Sequence, residues 1–254
     1  MSRIETRGLS IGYGGTVVGE GLDLDLAAGE VLCLLGPNGG GKTTLFRTLL
    51  GVLPPIAGEV RVAGRPLSSW SRRELARHLG YVPQAHAGLF AFTVEDVVLM
   101  GRTSRLGRFA APSVRDREAA RTALGRLGIG ALAPRVYTRI SGGERQLVLI
   151  ARALAQEAET LILDEPTASL DFGNQLRVLA EIARLRQDGI GILMSTHQPE
   201  HAFKVADRIA LLASGRIVAQ GATRDTATAR RLADLYGATE EEVTSSLPFL
   251  RSRP

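Results

Sequence analysis

The sequence predicts an α/β fold: a parallel sheet with helices packed on it, strands at its N-terminal end, and an α-helical segment inserted midway. Three observations carry that reading. The apolar runs Val31-Leu32-Cys33-Leu34-Leu35, Leu161-Ile162-Leu163 and Ile192-Leu193-Met194 are each followed by a loop and then by helical spacing, the pattern of strands buried on both faces of a parallel sheet. Leu22-Asp23-Leu24-Asp25-Leu26 alternates strictly, as a strand with one wet face does. From about residue 85 to 139 the chain turns rich in Ala, Leu and Arg, with few β-branched residues.

In order, residues 1–30 read as strands, and Ala28-Gly29 turns the chain into the buried run at 31–35. The glycine-rich Gly36-Pro37-Asn38-Gly39-Gly40-Gly41 follows, after which 42–50 has helical spacing. A short strand over 58–62 leads to a helix opening at Ser71, where Ser71 and Glu74 form an S-x-x-E capping box. Within the insertion, 94–100 and 113–127 are patterned as helices. The α/β alternation then resumes with a helix over 142–156, a strand over 160–164, a helix over 172–187, a strand over 191–195 and a short helix near 200–205. Leu211-Leu212-Ala213 and 216–219, joined through Ser214-Gly215, read as a hairpin. The remainder is helical, then ragged and polar. No internal repeat is present, so one copy of one module is expected.

Composition narrows the function. The 254 residues are 44% hydrophobic and 22% charged, enough for a sizeable core and incompatible with wholesale disorder. The single cysteine, Cys33, excludes an intrachain disulfide and, inside an apolar run, is expected to be structural. No stretch reaches the roughly 18 apolar residues of a membrane span, and Met1-Ser2-Arg3-Ile4-Glu5 lacks the apolar core of a secretory signal. The net charge of +5 is spread along the chain. Its densest group, Arg102, Arg105, Arg108, Arg115, Arg117 and Arg121, is expected on a solvated helical face rather than against nucleic acid. The 29 glycines exceed the usual share, which points to loops that need bare backbone.

Gly36-Pro37-Asn38-Gly39-Gly40-Gly41-Lys42-Thr43 fits G-x-x-x-x-G-K-[ST] directly after a buried strand and before a helix. Bare glycine backbone lets successive N–H groups surround phosphate oxygens, and the helix N-terminus adds its positive dipole end. Lys42 would neutralise the β- and γ-phosphates, and the Thr43 hydroxyl would ligate Mg²⁺. A nucleoside triphosphate site also needs carboxylates. Asp164 and Glu165, at the end of an apolar strand, provide them: Asp164 to hold Mg²⁺, Glu165 as general base or water-orienting group. Ser141 and Glu144 form a second capping box, yet Gly142 and Gly143 weaken a first helical turn by about 1 kcal/mol each relative to alanine. Close approach of their amides to an anion explains them better.

The phosphate loop, Ile140-Ser141-Gly142-Gly143-Glu144, Leu163-Asp164-Glu165-Pro166 and His197 stand in the order and spacing of an ATP-binding-cassette (ABC) ATPase, which the chain resembles from about residue 3 to 221. The resemblance implies a P-loop NTPase cassette: a RecA-like core over 1–84 and 140–220 with an antiparallel β part, a helical subdomain over 85–139 carrying the signature at its end, and a helical tail over 221–254, all one domain. It implies that Tyr13 stacks on adenine, that Gln84 touches Mg²⁺ or the attacking water, and that His197 is the switch histidine contacting the γ-phosphate. Ser169-Leu170-Asp171 matches the loop that crosses the dimer interface. Gly40 stands where Ser or Ala is commoner, Thr43-Thr44 where Ser-Thr is commoner, and Glu144 where Gln is usual. With nothing essential missing, ATP hydrolysis with Mg²⁺ is expected.

In this family the signature of one copy closes over nucleotide held by another, so the resemblance implies a homodimer or a pair with a close paralogue. Its implied partners are an integral membrane permease and a periplasmic or lipid-anchored solute-binding protein, with the cassette peripheral at the cytoplasmic face of the inner membrane and no nucleic acid involved. Residues 92–102, 140–153 and Leu235-Tyr236-Gly237 resemble importers of the iron–siderophore, haem and cobalamin type, called type II. Residues 168–175 and Thr196-His197-Gln198-Pro199 also resemble their molybdate/tungstate branch. A soluble ABC ATPase acting on nucleic acid fits poorly, having usually two cassettes, a long coiled-coil insertion or zinc-binding cysteines. Leu89, Phe90, Phe92 and Val94 are expected to line the groove that meets the permease.

Overall fold

The computed structural model describes residues 2–84, 91–107, 110–168 and 170–250. Leu89, Phe90, Arg108 and Ser169 therefore lie outside the described residues. The chain runs β1 (Ser2–Tyr13), β2 (Thr16–Ala27), β3 (Val31–Leu35), α1 (Lys42–Leu49), β4 (Ala57–Val62), β5 (Arg65–Pro66), α2 (Arg72–His78) and β6 (Leu79–Val82). Then come α3 (Val94–Leu99), α4 (Val114–Arg126), α5 (Gly142–Ala155), β7 (Thr160–Asp164), α6 (Phe172–Gln187), β8 (Gly191–Thr196), α7 (Pro199–Val205), β9 (Arg208–Ala213) and β10 (Arg216–Ala222). The tail holds α8 (Thr223–Thr226), α9 (Ala229–Tyr236) and α10 (Glu240–Ser246). Among the described residues no helix is long and apolar enough to cross a membrane.

Two sheets form, a four-stranded one in the order β2-β1-β4-β5 and a six-stranded one in the order β10-β9-β3-β8-β7-β6. The first is antiparallel throughout. In the second, β9, β3, β8, β7 and β6 pair in parallel and β10 closes the edge antiparallel. The unbroken apolar runs are explained by burial on both faces. Val31, Cys33 and Leu35 face the cluster filled by α3–α7 and α9, whereas Leu32 and Leu34 face Ile4, Ile11, Leu24 and the α1 residues Leu45 and Phe46. Complete burial pushes the Cys33 thiol well above its usual range, so it is inert.

The inserted helices share the larger cluster: Val94, Val97 and Val98 of α3 and Ala120 and Leu124 of α4 pack with Leu147 and Ile150 of α5. Two expectations change here. Val94 is fully buried in that cluster, so it is core and cannot line a surface groove. Arg102 is likewise not on a solvated face. Its guanidinium is buried, donating to Asp116 Oδ1 at 2.9 Å, the Ala155 carbonyl at 2.8 Å and Glu157 Oε2 at 2.7 Å. A cation followed at once by Thr103-Ser104-Arg105 reads as surface in one dimension; three acceptors from distant parts of the chain make burial tolerable. Arg115, Arg117 and Arg121 are exposed, as expected.

Candidate functional site

Parallel pairing aligns the C-terminal ends of β3, β7 and β8, because Leu35 pairs with Thr196 and Asp164 with Ser195. The loops that leave those ends meet at one edge of the sheet, where ligands of such sheets bind. The phosphate loop leaves β3. A Cβ at Gly36 would sit 2.3 Å from the Leu212 carbonyl oxygen, so only glycine fits this approach to β9. Gly39 and Gly41 have φ of 78° and 96°, the left-handed region that glycine enters without steric cost. Gly41 is the N-cap of α1 and supplies no side-chain acceptor, leaving the first amides of the helix without internal partners. No acid stands in that first turn, so the dipole end is uncompensated.

Lys42 is buried, and its Nζ donates to the carbonyls of Gly36 at 2.8 Å and Pro37 at 3.0 Å. Burial lowers its pKa, and the nearby Glu165 and Asp164 carboxylates oppose that fall. Thr43 Oγ1 donates to Asp164 Oδ2 at 2.8 Å. Both are hard oxygens of the kind that Mg²⁺ takes. Glu165 Oε1 lies 4.0 Å from Lys42 Nζ, and its Oε2 lies 3.2 Å from His197 Nδ1. Ammonium, carboxylate and imidazole thus form a continuous row. The Glu165 backbone has φ 47°, a strained conformation for a residue with a Cβ, of the kind that clusters at functional sites. Tyr81, on β6, has its phenol pushed up to about 12, by burial first and by the Asp164 charge second.

The remaining expected residues are less tightly joined. Tyr13, 62% exposed, ends β1 in the hairpin whose Val18 packs against Gly41. Pro37 lines the loop, Asn38 is exposed on it, the Gly40 amide donates to the Pro37 carbonyl at 3.3 Å, and the Thr44 carbonyl accepts from Thr48 within α1. Gln84 is exposed two residues past β6 and makes no hydrogen bond to Thr43 or Asp164. Ser141 caps α5: its amide donates to Glu144 Oε2 at 2.7 Å, and the Glu144 amide donates to Ser141 Oγ at 3.2 Å. That backbone amide, then the hydroxyl, holds the Glu144 carboxyl below its usual range. Among the described residues the Gly142 and Gly143 amides donate to nothing, and no hydrogen bond or ion pair joins Ser141–Glu144 to the phosphate loop of the same chain. Space around Gly142 is open, the nearest atom to an added Cβ being Arg145 Nη2 at 4.0 Å. Asp171 caps α6, accepting from the Asn174 amide and side chain at 2.8 Å each.

Two residues at this edge escape the sequence reading. Ser195 is fully buried beside Asp164, and its only signal was a hydroxyl after the apolar run 192–194. Tyr236, in the tail, donates from its phenol to the His197 carbonyl at 3.3 Å; no local pattern joins residues so far apart.

A site with amides and an ammonium at a helix N-terminus, a hydroxyl–carboxylate pair and a second carboxylate beside an imidazole can bind a triphosphate and activate water against it. Comparison with known proteins agrees. The sequence model described as ABC transporter matches residues 20–168. The hemin import ATP-binding protein HmuV of Streptomyces coelicolor is 42% identical over 90% of this chain and 81% of its own. The molybdate import ATP-binding protein MolC of Haemophilus influenzae is 39% identical over 85% and 80%. A solved structure described as a metal-chelate type ABC transporter in an inward-facing conformation superposes with a TM-score of 0.82 at 36% identity, over 93% of this chain and 90% of that one. The chain belongs to the ABC transporter ATP-binding proteins, whose cassettes hydrolyse ATP.

Proposed function

We propose that this chain is the nucleotide-binding subunit of an importer, hydrolysing ATP to drive uptake through a separate permease. The observation that carries the reading is the row Lys42–Glu165–His197 alongside the Thr43–Asp164 pair. The loop 36–44, through its backbone N–H groups except at Pro37, and Lys42 take the phosphates, with Tyr13 against the adenine. Thr43, Asp164 and Gln84 would hold Mg²⁺, which supplies charge neutralisation on the β- and γ-phosphate oxygens. Glu165 accepts a hydrogen bond from the attacking water and then its proton, and His197, 3.2 Å away, orients that carboxylate and meets the γ-phosphate.

The free Gly142 and Gly143 amides support a two-chain cycle in which Ser141, Gly142, Gly143 and Glu144 of one copy close over nucleotide held by another, with Asp171 crossing between them. The pair is two identical chains or one with a close paralogue. Glu144 then acts through its cap, its carboxylate being turned back onto Ser141. One apolar cluster running from the sheet into the inserted helices supports a single domain with the core over 1–84 and 140–220, the helical part over 85–139 and the tail over 221–254.

The relatives named for hemin import favour a cargo of the iron–siderophore, haem or cobalamin class. The molybdate importer ATPase is the second reading, favoured by its relative at 39% identity. The permease is integral to the membrane, a solute-binding protein delivers cargo to it, and this chain sits at the cytoplasmic face of the inner membrane. A groove of about 790 Å³ lined by Leu50, Val52, Leu75 and Met100, with Arg72 and Arg152 beside them, is a better place for the permease than the buried Val94. The test is Glu165→Gln. Loss of a general base lowers turnover by about 10²–10⁴-fold, so the variant should bind ATP normally, stop hydrolysing it and elute as a trapped dimer. Full turnover in that variant would remove the reading.

A further inference from the structure

We infer that Ser195 is the positioning residue of the site: one buried hydroxyl sets both carboxylates relative to the phosphate loop. Ser195 Oγ donates its only hydrogen to Asp164 Oδ1 at 2.7 Å and accepts the Glu165 backbone amide at 3.0 Å. Thr43 occupies the other Asp164 oxygen at 2.8 Å. The Asp164 carboxylate is thus gripped at both ends and cannot swing about its Cβ–Cγ bond.

The amide contact has a separate consequence. Asp164 and Ser195 are the last paired residues of β7 and β8, so Glu165 stands just beyond the ladder. Its φ of 47° is costly for any residue with a Cβ, and it takes the amide out of the ladder direction. Ser195 is fully buried, so water cannot serve as a substitute acceptor. The hydroxyl therefore holds Glu165 in the left-handed conformation that puts its carboxylate between His197 and Lys42. The last residue of β7 and the one after it are locked by one side chain from β8.

This rests on the reading of Glu165 as the water-orienting group, and the experiment separates the two. Steady-state ATP hydrolysis by the purified chain is measured for Ser195→Ala, Ser195→Cys and Ser195→Thr, with affinity for a fluorescent ATP analogue and thermal unfolding measured alongside. The Ala and Cys variants should lose about 100-fold in kcat, because a carboxylate misplaced by about an ångström costs on that order, while KM and analogue affinity stay within about twofold. Thr keeps the hydroxyl and should hold kcat within about threefold of the parent. In a Glu165→Gln background, Ser195→Cys should lower the residual single-turnover rate by less than it lowers the parent's, since the Glu165 part of its effect is already gone while the Asp164 part remains. If Ala does not fold, the near-isosteric Cys variant decides. The inference is overturned if the Ala or Cys variant retains the parent kcat, if the loss follows only the folded fraction, or if the two substitutions multiply. Full turnover in Glu165→Gln alone would instead remove the base assignment.

Discussion

Replacing Arg102 with Met separates a buried ionic tie from ordinary surface charge. Arg102 is 3% exposed, and its guanidinium joins Asp116 in α4 to Ala155, the last residue of α5, and to Glu157 just beyond it. Met preserves the apolar stem and removes the charge. Among the described residues Asp116 then keeps the Ser113 hydroxyl and amide as partners, whereas the Glu157 side chain, 48% exposed, turns to water. Breaking a buried pair from one side costs about 3–5 kcal/mol, and the retained Ser113 bonds place this case near the lower limit, about 3 kcal/mol. For a chain of this size that corresponds to a fall in Tm of about 6–12 °C. Urea unfolding read by far-UV circular dichroism and by the single tryptophan, Trp70, measures it, and coincidence of the two probes checks two-state behaviour. Adding Asp116→Asn removes the stranded charge but keeps a capping acceptor, so about half the loss should return. A loss below about 1 kcal/mol in Arg102→Met would refute the reasoning.

Further outcomes follow from the same geometry. The Asp116 carboxyl is held at about 2 against an ordinary 3.8, by the Ser113 hydroxyl first, then Arg102 and the Ser113 amide. A depressed folded-state value stabilises above the ordinary pKa and is lost as pH falls through the folded one. The urea midpoint should therefore fall between about pH 4 and pH 2, and Asp116→Asn should flatten that slope. Gly36→Ala puts a Cβ 2.3 Å from the Leu212 carbonyl, whereas Gly40→Ala puts one 3.1 Å from the Pro37 carbonyl. The first should weaken ATP-analogue binding by more than about tenfold and the second by less than about threefold; equal effects would show that the loop does not depend on its approach to β9.

Much of the fold was legible because its signals are local. An apolar run of five residues, too short for a helix and bounded by Gly29 and Gly36, reads as a strand buried on both faces, and 31–35 is one. The Ser71–Glu74 and Ser141–Glu144 boxes were readable because a cap is satisfied within four residues. The glycine-rich loop was equally plain, since its composition records the need for left-handed backbone and close approach. Arg102 and Val94 were misplaced for the converse reason. Neither flanking sequence says that Glu157 will come within 2.7 Å of one, or that α5 will cover the other.

Residues 36–44, 141–144 and 164–165, with His197, announced a phosphate-handling chain, since each motif's chemistry is written in adjacent residues. How those motifs meet was settled only in three dimensions. Parallel pairing brings Asp164 level with Ser195 and Leu35 level with Thr196, which sets Glu165 against His197 and Thr43 against Asp164. Strand register depends on burial and hydrogen bonding summed over the whole sheet, and no stretch of chain contains that sum. For the same reason Ser195, a hydroxyl near the end of a largely apolar strand, entered the site only when the sheet placed it against the Asp164 carboxylate and the Glu165 amide.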